Sequence, residues 1–301
     1  IDGRETPLAG KDLADYLKSI ESSNIEAIEI ITNPSAKYDA AGNAGIINIR
    51  LKKNKSFGTN GSVTAGFNIG VFPKYNTGVS LNHRNKSINV FGNYNYNNSK
   101  SRNLMNFYRT VLDTLFNQAS KMTNENQNNN FKAGLDYFIN RKSTLGVIVN
   151  GNISSPKFTN FSKTPITYIP TNTVDRVLIA DNSNVMERKN MNFNANYSYT
   201  DTMGRTLSIN ADYGFYKIRS DQMQPNYYFD ATETIELNRV VYNMIAPTNI
   251  DIYSGKADWE QNFAKGKLGL GLRSSYVQTD NDFQRYNVFT NGKTLDTLRS
   301  N

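Results

Sequence analysis

The chain has 301 residues, is 38% hydrophobic with a mean hydropathy of −0.58, and has no run near the roughly 20 apolar residues of a membrane helix. It contains no cysteine, which excludes a disulfide framework, a thiolate metal site and a thiol nucleophile. A net charge of +8 and a pI near 9.4 would suit nucleic acid, but the basic residues are scattered and form no recognition motif, so nucleic-acid binding is set aside for charged turns facing lipid phosphates.

Aromatics reach 12%, with 18 Tyr, 16 Phe and one Trp, and Asn occurs 44 times. Such a composition fits either a disordered, prion-like tract or a membrane barrel whose strands face lipid on one side and water on the other. Spacing separates the two.

Residues 1–55 form their own segment. Leu13, Tyr16, Leu17 and Ile20 fall at i, i+3, i+4 and i+7, which predicts a short helix. Ile25, Ile28, Ile30 and Ile31 predict a strand stopped by Asn33-Pro34, and Ile46–Leu51 a second strand after a Gly42–Gly45 turn. The segment reads as the end of a small α+β unit. Ile1-Asp2-Gly3-Arg4 shows no signal peptide, and Arg299-Ser300-Asn301 stops among polar residues. The expectation is a piece of a longer protein.

From about residue 61 the period becomes two. Ile88, Val90, Gly92, Tyr94 and Tyr96 alternate with Asn89, Phe91, Asn93, Asn95 and Asn97; Met191–Tyr199 and Leu207–Phe215 behave alike. Successive strand residues point to opposite faces, so each run has an apolar and a polar side. Disorder does not predict this. The runs approach the ~9–11 residues of a tilted membrane strand, with Tyr near their ends, as an interfacial girdle requires. Short turns are expected at Phe72–Lys74, His83–Lys86, Asn140–Lys142, Asp201–Gly204 and Ala264–Gly266, and long polar loops near 99–126, 155–187 and 220–249. Short periplasmic turns alternating with long outer loops are the pattern of an outer-membrane barrel. The predicted fold is mostly β: about nine strands of a partial transmembrane antiparallel barrel over 56–301, preceded by the end of the α+β unit at 1–55. An odd, open set of strands is not a closed barrel.

The run Ile25-Glu26-Ala27-Ile28-Glu29-Ile30-Ile31-Thr32-Asn33-Pro34-Ser35-Ala36-Lys37-Tyr38-Asp39, then Gly42-Asn43-Ala44-Gly45-Ile46-Ile47-Asn48-Ile49, resembles the plug-domain signature of TonB-dependent outer-membrane receptors. Ile1-Asp2-Gly3 is similar to an earlier plug element of that family. The wording Asn-Pro-Ser-Ala-Lys-Tyr-Asp resembles the Bacteroidota branch of outer-membrane β-barrel family proteins. The motif positions carried over are Glu26, Glu29, Asn33, Pro34, Tyr38, Asp39, Gly42, Gly45 and Asn48. Many members place Arg before a Gly-Pro; Thr32-Asn33 stands here, so no arginine lock between plug and barrel is carried over. Glu26 and Glu29 remain candidates for contact with barrel-wall Lys or Arg, or for solvated faces of a plug strand.

The resemblance implies a Gram-negative outer-membrane location, with the plug on the periplasmic side or inside the barrel. It also implies energised uptake of a siderophore, vitamin, glycan or peptide. The implied partners are TonB through a box upstream, outer-membrane lipid and lipopolysaccharide, and an imported ligand. The alternative is a non-transporting barrel used for surface binding, adhesion or assembly. An enzyme is not expected, because no nucleophile or acid–base constellation is visible. No cofactor or metal is expected either: the single His83 is assigned to a solvated turn, and Asp280 with Asp282 to surface acids. Tyr168, Tyr227, Tyr228 and Phe229, with Phe158 and Phe161, are candidate loop aromatics that either stack on a ligand or pack the loops.

Overall fold

The computed structural model describes Leu13, Leu17 and residues 25–32, 45–51, 57–264 and 266–301. Leu13 and Leu17 are helical and half-buried, as the i, i+4 spacing requires; Tyr16 and Ile20 lie outside the described residues. β1 (Ile25–Ile31) and β2 (Ile46–Leu51) form a two-stranded antiparallel sheet. Asn33, Pro34, Tyr38, Asp39 and Gly42 lie outside the described residues. Gly45 has φ +83°, and a Cβ there would stand 2.7 Å from the Ile31 carbonyl oxygen. Glycine is the residue that fits a left-handed position this close to backbone.

All later strands belong to one antiparallel sheet of 12. They are β3 (Gly58–Ile69), β4 (Pro73–Arg84), β5 (Ile88–Val111), β6 (Thr114–Phe138), β7 (Ser143–Ser154), β8 (Lys157–Tyr168), β9 (Thr173–Thr200), β10 (Thr206–Asp230), β11 (Glu236–Phe263), β12 (Gly266–Asn281), β13 (Gln284–Phe289) and β14 (Gly292–Leu295). Two pairs of these are single lines across the sheet. β7 and β8 both lie between β6 and β9, and the pairing resumes after Ser155-Pro156 with no change of register. β12 and β13 are likewise collinear along β11, parted opposite Pro247. A proline has no N–H to give the ladder, which explains both interruptions. Counted as lines, nine strands cross in sequence before β14 turns back, as the alternation predicts.

Burial is inverted relative to a soluble sandwich. On interior strands Val147 is 49% exposed and Ile209 44%, while Asn128 is 4% and Asn194 8%. An apolar face this open, over polar side chains this closed, needs lipid outside. The apolar face keeps one register across the sheet: Val63 faces Val79, then Tyr94, Phe131, Gly151, Met191 and Phe215 at successive rungs, and the row ends at the acid Asp251. One step down, Phe193, Tyr213, Tyr253 and Tyr276 form an aromatic row with centroid separations of 6.1, 4.9 and 6.4 Å. On β10 the apolar face spans Leu207 to Phe215, a hydrocarbon-crossing length.

The expected long loops are corrected. Residues 99–126, 155–187 and 220–249 are mostly strand, continuing the wall in β5–β6, β8–β9 and β10–β11 up to tight tips. β9 and β11 have 28 residues each, roughly 90 Å at about 3.3 Å per residue, far more than a bilayer needs. Well over half of each, residues 173–192 of β9 and 236–252 of β11, stands beyond the aromatic row. His83 is also corrected: it is the penultimate residue of β4, with its ring Nδ1 2.8 Å from Thr59 Oγ1. The turn itself is Asn85–Ser87.

Candidate functional site

Backbone period fixes the polar face before any side chain is considered. Asn89, Asp136, Asn150, Asn192 and Asn210 share the side opposite the apolar band, which in a barrel is the lumen. Amides suit that place because each carries both donors and acceptors and can link neighbouring strands without fixed charge. Asn82 Nδ2 donates to Asn89 Oδ1 at 2.9 Å, and Asn89 Nδ2 to Asp136 Oδ2 at 3.1 Å. Asn152 Nδ2 donates to Asn130 Oδ1 at 2.6 Å and to Asn128 Oδ1. Asn196 donates to Asn194 at 2.8 Å, and Asn194 to Asp212 at 2.6 Å. Tyr216 OH donates to Asn192 Oδ1 at 3.0 Å. The wall is thus a lattice of neutral amides with a few acids, interspersed with Lys132, Lys256 and Arg273 on the same face.

Beyond the aromatic row the two faces separate by charge. Lys100, Glu125, Lys157, Lys189, Lys217 and Arg219 all continue the register of the apolar face. Lys189 stands directly opposite Lys217, at the level where the band ends and lipid headgroups begin. The lumen register carries Asn124, Phe158, Asn160, Asn182, Asn184 and Gln222 at the same height. Its charges there are the arginines Arg109, Arg176, Arg188 and Arg285, with Asp230 opposite Arg176. The Oδ1 atoms of Asn160 and Asn182, at facing positions, are buried without a hydrogen-bond partner. A ligand in this lumen meets amides, hydroxyls and guanidinium groups.

The candidate aromatics divide between the faces. Tyr168 and Phe158 on β8 and Tyr228 on β10 share the lumen register; Tyr227, Phe229 and Phe161 share the outer one. None is in a loop. Arg239 lies 5.6 Å from the Tyr227 ring and is held by Glu236 at 2.5 and 2.8 Å, which raises the guanidinium pKa further. Asn160, Asn182 and Asn184 were hidden inside a stretch that reads as loop; their even spacing was the available signal.

Glu26 and Glu29 have partners within their own hairpin. Arg50 Nη1 donates to Glu29 at 2.9 Å and Nη2 to Glu26 at 3.2 Å, and Asn48 Nδ2 donates to Glu29 at 2.8 Å. The Arg50 and Asn48 hydrogen bonds hold the Glu29 carboxyl below its ordinary pKa. Among the described residues no cluster of His, Cys, Asp and Glu could hold a metal ion.

Residues 199–301, about a third of the chain, match the model of the outer membrane protein beta-barrel family. The match spans β10–β14 and supports an outer-membrane β-barrel protein. No curated protein matches the chain.

Proposed function

We propose that this wall belongs to a TonB-dependent receptor of the outer membrane, which takes up a nutrient through a plugged barrel. The observation that carries the reading is residues 25–49. The strand Ile25–Ile31, with Glu26 and Glu29 gathered on Arg50, and the Gly45 turn into Asn48 keep the order and spacing of the plug signature. The amide-lined lumen suits a plug that must be held and yet move. Many weak, water-exchangeable hydrogen bonds hold a surface without the cost of breaking buried ion pairs. TonB, acting on a segment upstream, supplies the pull. Lipopolysaccharide phosphates meet Lys189 and Lys217 on the outer face.

The test is binding of the purified full-length protein to the periplasmic domain of TonB. Saturable binding that is lost when the segment upstream of Ile1 is removed is expected. No binding at all would overturn the reading in favour of a surface-binding barrel. Within a transporter, Asn192→Leu with Asn194→Leu slows uptake by more than the loss of folded protein accounts for, when uptake is compared at matched amounts of protein in the membrane.

A further inference from the structure

Among the described residues the upper half of β5 has a neighbour on one side only. β6 accompanies it without a register shift to Val111, opposite Thr114. On the other side β4 pairs only as far as Tyr75, opposite Asn98. β4 begins at Pro73, which has no N–H to carry the ladder further. The flank of Ser99–Val111 is therefore open, and it is open because of a neighbour that is itself present and short.

Two turn hydrogen bonds assign the free backbone groups. Phe138 N–H donates to Ser87 O at 2.8 Å, and Asn85 N–H donates to Ile88 O at 2.8 Å. Odd β5 residues therefore bond to β6, and even ones face the β4 side. Past the end of β4, Arg102, Leu104, Asn106, Tyr108 and Thr110 aim N–H and C=O into the open flank. Proteins usually blunt such an edge with a bulge, a proline or inward charge. From Asn103 to Tyr108 there is none of these. Leu104 is 71% exposed and Tyr108 65%, with Met105 and Phe107 exposed on the other face.

We infer that this edge is a docking site for one extended, acidic segment of a separate polypeptide, which adds a strand beside β5 above the short β3–β4 hairpin. Added strands gain affinity from the backbone ladder and selectivity from alternate side chains. The charge is complementary: Arg102 and Arg109 lie on Ser99–Val111 and no acid does, while Lys100 is already paired with Glu125 of β6 at 2.7 Å. A second upright copy cannot occupy the site. Its own lower β5 would have to pass through the space already filled by β4 and β3, whereas a free segment arriving from outside meets no such obstacle.

The experiment uses the full-length protein in detergent micelles and a fluorescein-labelled synthetic peptide of alternating valine and threonine with a glutamate near each end. A second peptide carries lysine in place of glutamate. Saturable anisotropy is expected for the acidic peptide, about tenfold tighter than for the basic one, and Asn106→Pro should weaken it by a similar factor because a single edge N–H and its neighbours are lost. Asn106 does not bond to β6, so the variant keeps its melting temperature. Arg102→Glu with Arg109→Glu should reverse the peptide preference. Equal binding to the Asn106→Pro variant, or no saturable binding of either peptide, overturns the proposal. Neither outcome depends on TonB, so this proposal and the transport reading can fail separately.

Discussion

Asn194 Nδ2 donates to Asp212 Oδ1 at 2.6 Å across the β9–β10 pair, while one residue back along β9 the Phe193 ring stacks on Tyr213 at 6.1 Å on the other face. Two consecutive rungs thus hold a polar contact toward the lumen and an aromatic contact toward lipid. Asn194 also accepts from Asn196, so the Asp212 carboxylate ends a short relay of amides. Asp212→Val should strand the buried Asn194 amide and cost about 1–3 kcal/mol. Asp212→Asn keeps an acceptor and should cost less. Urea unfolding of the protein in micelles, followed by near-ultraviolet circular dichroism, reads both.

The face assignment makes a sharper demand at Ala211 and Asn210. Ala211 lies midway along the apolar side of β10, opposite Ala195 and Gly255. Asn210 is the next residue and faces the lumen, where its Nδ2 donates to Ser208. Arginine at a lipid-facing midplane position costs about 2–4 kcal/mol. Ala211→Arg should therefore lower folding yield into vesicles markedly, and Asn210→Arg should not. Equal yields would mean that the two faces are exchanged.

Much of the wall was legible because lipid on one side and water on the other impose a strict period of two. Met191–Tyr199 and Leu207–Phe215 are read directly in this way. Above the aromatic row both faces meet water, so the period no longer separates apolar from polar. Ser99–Asn126 then resembles a loop, although it is a strand pair closed by Leu112-Asp113. Residual order lay in which polar type recurs: lysines keep to one parity and most asparagines to the other, Asn106 and Asn117 being exceptions. The strand turns were marked by chemistry more than by Gly or Pro. Asn85, Asn140 and Asp201 each open a turn with a side-chain oxygen that accepts two backbone N–H groups.

Gly45 offers a local test of the β1–β2 unit. Its φ of +83° and the 2.7 Å approach of a Cβ to Ile31 O leave an alanine strained in both conformation and space. A left-handed non-glycine residue costs about 1–2 kcal/mol before any clash is counted. Gly45→Ala should speed hydrogen exchange at Ile28, Ile30 and Ile49 in that sheet and leave the β9–β10 amides as they were.

Asp201 gives the turn between β9 and β10 a pH dependence whose sign can be worked out. Its Oδ1 accepts from the N–H of Met203 and of Arg205 at 2.9 Å each, and its Oδ2 from Arg205 Nε at 2.7 Å. The side chain is 2% exposed, enclosed by its own turn. The Arg205 backbone N–H, foremost among these donors, holds the carboxyl below its ordinary pKa. A carboxyl depressed in the folded state contributes stability that is complete above its unfolded value and is lost as pH falls through the folded one. Asp201→Asn retains an oxygen at the turn but no charge for Arg205. Its melting temperature should lie below that of the parent at neutral pH, and the gap should close on acidification past the ordinary carboxylate range. Melting curves of the two proteins at matched pH values decide the matter; a gap that stays constant down to strongly acidic pH would show that the charge contributes nothing there.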